Sequence, residues 1–362
     1  MDKPTRFVGI DLCRGLAAFA VVLIHSGDET WGIPVSEAAI ELRNPFYFAV
    51  PFFLATSFYF TLRNKSSQIS NSFWKKKIKR LLIPYLVWSF IYFLCKLLVY
   101  TVSYDLGARS ALMSDPIAII FFGKASYHLY FIPLLFAGLS LVYLAKFISN
   151  KCNNLKVLSL LSIASLILYH VLIASNNQYH IPHYVAFTNF SSNMPLESPD
   201  IPFFRILFVL IAWIIRCLPY CLFALLIVRL QNKLADDFFE SKKILLLLFI
   251  IFIAINTIGQ DYFSEAIVEI GLAFSLLLMG IAVSCYIKES RLIYNLGFSS
   301  FGIYLIHPFI IGILEIVFQA TVPQVFSRIS VLSILIYSIS SFLISWILVN
   351  FVFRNKLLSK FI

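Results

Sequence analysis

The chain has 362 residues, of which 60% are apolar and only 13% charged, with 37 Phe and 18 Tyr and a mean hydropathy of +0.86. That composition excludes an ordinary water-soluble domain and points to a polytopic membrane protein. The net charge of +11 would suggest a nucleic-acid partner in a soluble protein, but in so apolar a chain basic residues are first topology signals, and no nucleic-acid partner is expected.

A bilayer core takes about 20 mostly apolar residues per helix. Ten stretches qualify, at 8–26, 46–62, 81–103, 127–147, 156–175, 203–229, 243–259, 265–287, 297–319 and 329–353. The first follows Lys3 and Arg6 and superficially resembles a signal peptide, but Arg14 interrupts it and further spans follow, so a retained helix is expected. Residues 116–123, PIAIIFFG, are apolar but too short to span, and read as an interfacial or re-entrant piece before the fourth helix. With the N-terminus inside, 21 of the 29 Lys and Arg fall in inner segments. Arg43, Arg109, Lys124, Arg328 and the boundary residue Arg205 fall on the outer side. This asymmetry predicts an all-α bundle of about ten transmembrane helices with both termini cytoplasmic, and the inner or plasma membrane is the expected location. Residues 1–362 form one transmembrane domain in this reading, with no appended soluble domain and no internal repeat.

The first span, DLCRGLAAFAVVLIHSG, carries ionisable groups at membrane depth, where they are costly and commonly functional. Arg14 and His25 are eleven residues apart, about 1100° of helical rotation, within roughly 20° of three full turns. They therefore share a face and are separated by about 16 Å along the axis. Arg14 lies toward the inner side and His25 near the outer boundary. Asp11, one turn before Arg14, can pair with it. The plainer reading has Arg14 snorkelling to headgroups and His25 sitting at the interface.

His128 opens the predicted fourth helix at about the outer depth of His25. It is either a functional histidine of that layer or a member of an aromatic belt with Tyr127 and Tyr130. His307 precedes Pro308 near mid-membrane, where the proline frees a carbonyl, and reads first as a packing or helix-bonding residue. Lys75, Lys76, Lys77, Lys79 and Arg80 form a basic cluster at the inner end of the third span, which topology and anionic lipids alone would select. Lys77 and Arg80 are the two expected to face inward. Lys96, Arg216, Glu269 and Glu315 lie inside spans and are expected to pair, with partners unassigned.

Six cysteines show no CxxC spacing, and Cys217 and Cys221 read as small packing residues. His180 and His183 lie in a proline-rich outer loop without a convincing third ligand. No metal is expected, and these two read as acceptor contacts or exposed residues.

Several of these segments together resemble the membrane-bound acyltransferase-3 family. They are Arg-x10-His in the first span (Arg14, His25), FYFAVPFFLATSFYF in the second, KKKIKRLLIPY leading into the third, YHLYFIPLLF in the fourth and SFGIYLIHPF in the ninth. The resemblance runs over most of the chain in the same order. It departs at Thr56-Ser57-Phe58, where the family usually has Ser-Gly-Phe, and at Lys77-x-x-Arg80, where Arg-x-x-Arg is frequent. It implies transfer of an acyl group, commonly acetyl from acetyl-CoA, onto a glycan or lipid-linked saccharide at or across the membrane.

On that basis His25 is expected as general base, because imidazole titrates near neutrality. Arg14 is expected at the donor or acyl oxygen, and His128 as acceptor-orienting or base-sharing. Lys77 and Arg80 are expected to hold CoA phosphates. The alternative from a different class is a carrier or flippase for a polar lipid or solute, with the same groups lining a path.

Overall fold

The computed structural model describes residues 6–27, 33–64, 71–152, 154–175, 186–187, 202–233, 238–287, 289–323, 328–355 and 361. His180 and His183 lie outside these residues. The described chain is helical, and ten helical segments are long and apolar enough to cross a membrane. Its single β-bridge among these residues joins Val35 to Ile329.

In chain order the helices are α1 Val8–His25, α2 Glu37–Arg43, α3 Ala49–Arg63, α4 Asn71–Lys77, α5 Ile83–Val102, α6 Leu106–Met113, α7 Pro116–Phe121, α8 Phe131–Gly138, α9 Leu141–Lys151 and α10 Leu155–Ala174. They continue with α11 Pro202–Gln231, α12 Lys242–Tyr262, α13 Glu265–Val283, α14 Arg291–Thr321 and α15 Val331–Arg354. A π turn over Ile78–Leu82 joins α4 to α5.

α1 is the central helix, packed by α3, α13, α14 and α15. Lipid tails are as apolar as leucine, so helices in a bilayer associate through close van der Waals contact, which small residues permit. α1 meets that need with Gly9, Cys13, Gly15, Ala17, Ala18 and Ala20. A Cβ on Gly9 would stand 2.2 Å from the Gly280 carbonyl oxygen of α13. One on Gly297 of α14 would stand 2.6 Å from the Asp11 Cβ and 2.8 Å from its Cα. Because backbone has no room to give, Gly297→Ala should destabilise the bundle by about 1–3 kcal/mol, read as a lowered melting temperature in detergent beside wild type.

The far end of α1 is pinned by an element the sequence reading treated as a loop charge. Arg43 of α2 is buried and its Nη2 donates to the Ser26 carbonyl at 3.4 Å and to the Gly27 carbonyl. Gly27 has φ +75°, and a Cβ there would meet Ile329 at 2.6 Å. Paired backbone bonds, Ser36 N–H to Ile329 O and Ile329 N–H to Pro34 O, each 2.9 Å, close this cap.

Two interior expectations acquire definite partners. Arg216 of α11 pairs with Glu269 of α13 at 3.0 Å, and Glu269 also accepts from Tyr169 and Tyr220 at 2.7 and 2.9 Å. Glu315 instead accepts from Gln319 one turn away, and no salt bridge involves Lys96 among the described residues. Cys217 and Cys221 are buried free thiols, directing Sγ at the Leu134 and Leu141 carbonyls.

Residues 116–123 form a short helix and a turn rather than a span. Asp115 caps α7 by accepting from the Ala118 N–H at 3.0 Å and holds Arg205 through two bonds of 3.0 and 2.8 Å. Burial by itself would raise the Asp115 carboxyl, but the Arg205 bonds, the Ala118 N–H and the nearby Lys124 charge together hold it below its ordinary value. Gly123, at φ +79°, then lets the chain pass against the Leu129 and Tyr130 backbone, which a Cβ would meet at 2.4 Å.

Candidate functional site

The fourth span differs from expectation at its start. The hydropathy pattern predicts it from residue 127, but the helix begins at Phe131. His128 sits in a chain of turns closed by Ser126 N–H to Gly123 O (3.3 Å) and Leu129 N–H to Ser126 O (3.0 Å). The positive-φ turn at Gly123 consumes the residues that would have been the first helical turn. Its effect is to carry the His128 ring inward, where the residue is 2% exposed.

There it meets two other histidines. The His128 ring centroid is 5.0 Å from that of His307, and His307 is 5.7 Å from His25. Tyr127 lies 4.4 Å from His25, while Tyr92 and Tyr304 lie 5.4 and 5.1 Å from His128. The Tyr304 hydroxyl donates to the His128 carbonyl and the Tyr92 hydroxyl to the Leu305 carbonyl at 2.8 Å. Both bonds tie the turn and α5 to α14. His128 Nδ1 faces the Ser126 hydroxyl at 3.1 Å. The Nε2 atoms of His128 and His307 are buried without a hydrogen-bond partner among the described residues, which in a native interior calls for an explanation.

His307 bonds its own helix, as expected of a helix-bonding residue, and also joins the cluster. The available signal was Pro308, which leaves the Tyr304 carbonyl without its helical N–H. His307 Nδ1 fills that vacancy at 2.8 Å.

At the opposite end of α1 a cavity of about 640 Å³ opens between α1, α3, α4, the π turn, α8 and α14. Arg14, Lys76, Lys77 and Arg80 line it, with Phe53, Phe131 and Leu135 as apolar walls and Tyr304 at the histidine end. Thus Tyr304 touches both the cavity and the cluster. Arg14 stands 3.9 Å from Asp11, whose carboxylate also takes Arg6 Nε at 2.6 Å. One carboxylate between two guanidiniums leaves a net positive charge beside the cavity.

The Arg6 guanidinium in turn lies over the Tyr294 ring at 3.7 Å, and Arg6 is raised above its ordinary value: burial opposes this, and the Asp11 bond and charge outweigh it.

Lys77 Nζ donates to Thr61 Oγ1 at 3.3 Å and sits 5.5 Å over Phe73. Trp74 anchors this corner by donating to the Tyr143 hydroxyl at 2.7 Å. Ser57, standing where the family pattern has glycine, lines the same cavity.

The five residues singled out from sequence therefore fall into two groups. Arg14, Lys77 and Arg80 share the cavity, and His25 and His128 share the cluster with His307. Among the described residues no group of three or more His, Cys, Asp or Glu has a geometry that could hold a metal ion.

No curated protein and no solved structure matches the chain. A family match does exist, to an acyltransferase domain, and it covers residues 7–350. A buried histidine cluster joined to a cation-lined cavity inside a ten-span bundle thus lies in a chain that belongs to the acyltransferase-3 family, and the protein is a multi-pass membrane acyltransferase.

Proposed function

We propose that this acyltransferase moves an acetyl or related acyl group from a cytoplasmic acyl-CoA to a hydroxyl of a glycan or lipid-linked saccharide near the outer face of the plasma or inner membrane. One observation carries the reading: a single cavity runs from a cationic mouth at Lys76, Lys77 and Arg80 to Tyr304, which contacts the histidine cluster. A CoA thioester has complementary parts, with phosphates for the mouth and a narrow arm for the walls between Phe53, Phe131 and Leu135. Arg14, which lines the same cavity, adds positive charge for the phosphate-bearing donor.

His25 takes the acceptor proton as general base, and His128 orients the acceptor or shares that role. The physical appeal is that Arg14 and His25 stand about 16 Å apart on one helix face, so donor and acceptor can approach from opposite sides and meet inside.

The test uses membrane vesicles containing the full chain and labelled acetyl-CoA, read as label in the lipid and glycan fraction and as released thiol. Lys77→Ala with Arg80→Ala should raise KM for acetyl-CoA about tenfold, since a charge-assisted bond contributes about 1.5–3 kcal/mol and exposure weakens it. The kcat at saturating donor should change little. An unchanged KM would remove the donor from this mouth.

A further inference from the structure

His307 does more than fill a gap in α14. A carbonyl oxygen can only accept, so the 2.8 Å contact between His307 Nδ1 and the Tyr304 carbonyl puts the proton on Nδ1. A second carbonyl, Ile303, lies 3.3 Å from the same atom. In the neutral ring, Nε2 is then a lone pair with a set direction. It is fully buried and, among the described residues, has no hydrogen-bond partner. The nearby His128 lacks this definition, because its Nδ1 faces a hydroxyl that can donate or accept.

The position of the ring matters as much as its tautomer. By ring centroids His307 lies 5.7 Å from His25 and 6.2 Å from Tyr304. Tyr304 is where the cavity ends. His307 therefore adjoins both His25 and a residue that lines the cavity.

Acyl transfer makes a demand on this neighbourhood. The acceptor O–H breaks, a C–O bond forms and the C–S bond breaks at one carbonyl carbon, and the departing thiolate needs a proton. Resting on the acyl-CoA reading above, we infer that His307 is a catalytic residue that takes the acceptor's proton from His25 at Nε2 and delivers it to the thiolate sulfur. The account balances without a further reactant: the acceptor loses one proton, CoA gains it, and both rings return to neutral. The Nδ1 bond to the Tyr304 carbonyl holds the ring and grows stronger while the ring carries the extra proton. It serves as the orienting partner that a base of this kind requires.

His307→Asn separates this role from a structural one, because the asparagine amide can still donate to the Tyr304 carbonyl from about the Nδ1 position but offers no Nε2. In vesicles with labelled acetyl-CoA, it should lower kcat by about 10²–10⁴-fold and leave KM for acetyl-CoA within about twofold of wild type. The second readout is the leaving group. The acetyl thioester of 4-nitrothiophenol releases an acidic thiol that departs unprotonated, so the gap between wild type and His307→Asn should largely close with that donor.

That ratio is measured on whatever fraction folds and is independent of its amount. Wild-type kcat in His307→Asn, or a deficit equal for both donors, overturns the assignment of His307 and leaves the acyl-CoA reading standing. Wild-type vesicles that transfer no label from acetyl-CoA overturn the acyl-CoA reading itself, and the inference with it.

Discussion

His25→Ala is expected to lower kcat for acyl transfer by about a hundredfold to ten-thousandfold, the range a positioned acid–base group supplies, with KM for acetyl-CoA little changed. His25 is the last residue of α1, and the backbone beyond it is held by Arg43 through the Ser26 and Gly27 carbonyls. Truncating the ring leaves that clamp and the small-residue packing of α1 in place, so insertion and stability should survive. The ring itself touches Tyr127 and His307, and its loss removes the first proton acceptor while leaving the donor cavity intact. Label transfer at saturating acetyl-CoA is the measurement, and a normal kcat would sink the assignment.

Glu269→Ala should produce the largest loss of stability, about 3–5 kcal/mol, because it strips a buried guanidinium of its carboxylate. Glu269 joins three spans: Arg216 and Tyr220 donate to it from α11 and Tyr169 from α10, while it stands on α13. Arg216 is 3% exposed, so water cannot replace what is removed. Thermal unfolding in detergent reads the effect. Replacing the pair together, Arg216→Met with Glu269→Leu, should recover much of the loss, since no charge then remains to be desolvated. A double variant as unstable as Glu269→Ala would mean that the two tyrosine bonds, and not the ion pair, hold this junction.

The residues show why some features were legible in the chain and others were not. The ten spans follow from local hydropathy, and each predicted stretch overlaps a helix long and apolar enough to cross. The common face of Arg14 and His25 follows from helix period alone. His128 was placed at the right end of the fourth span but on the wrong structure, because the positive φ of Gly123 has no cost in glycine and leaves little trace in a propensity. Arg43 looked like a stray outer charge, and only the fold of α2 onto the end of α1 makes it a clamp. His307 presented the SFGIYLIHPF segment and the Pro308 signal, which mark the position and a free carbonyl but say nothing about which way the ring faces.

What the sequence determined by itself was the family, the ten apolar spans and the depth of each polar group along its own helix, since length, hydropathy and helical period are properties of a continuous segment. Tertiary structure alone decided that residues 25, 128 and 307 form one cluster, that Arg216 pairs with Glu269, and that the basic mouth leads to Tyr304. Those pairings depend on which helix faces meet. In a bilayer that is governed by where backbones can approach, at contacts such as Gly9 on Gly280 and Gly297 on Asp11, and no single segment contains that information.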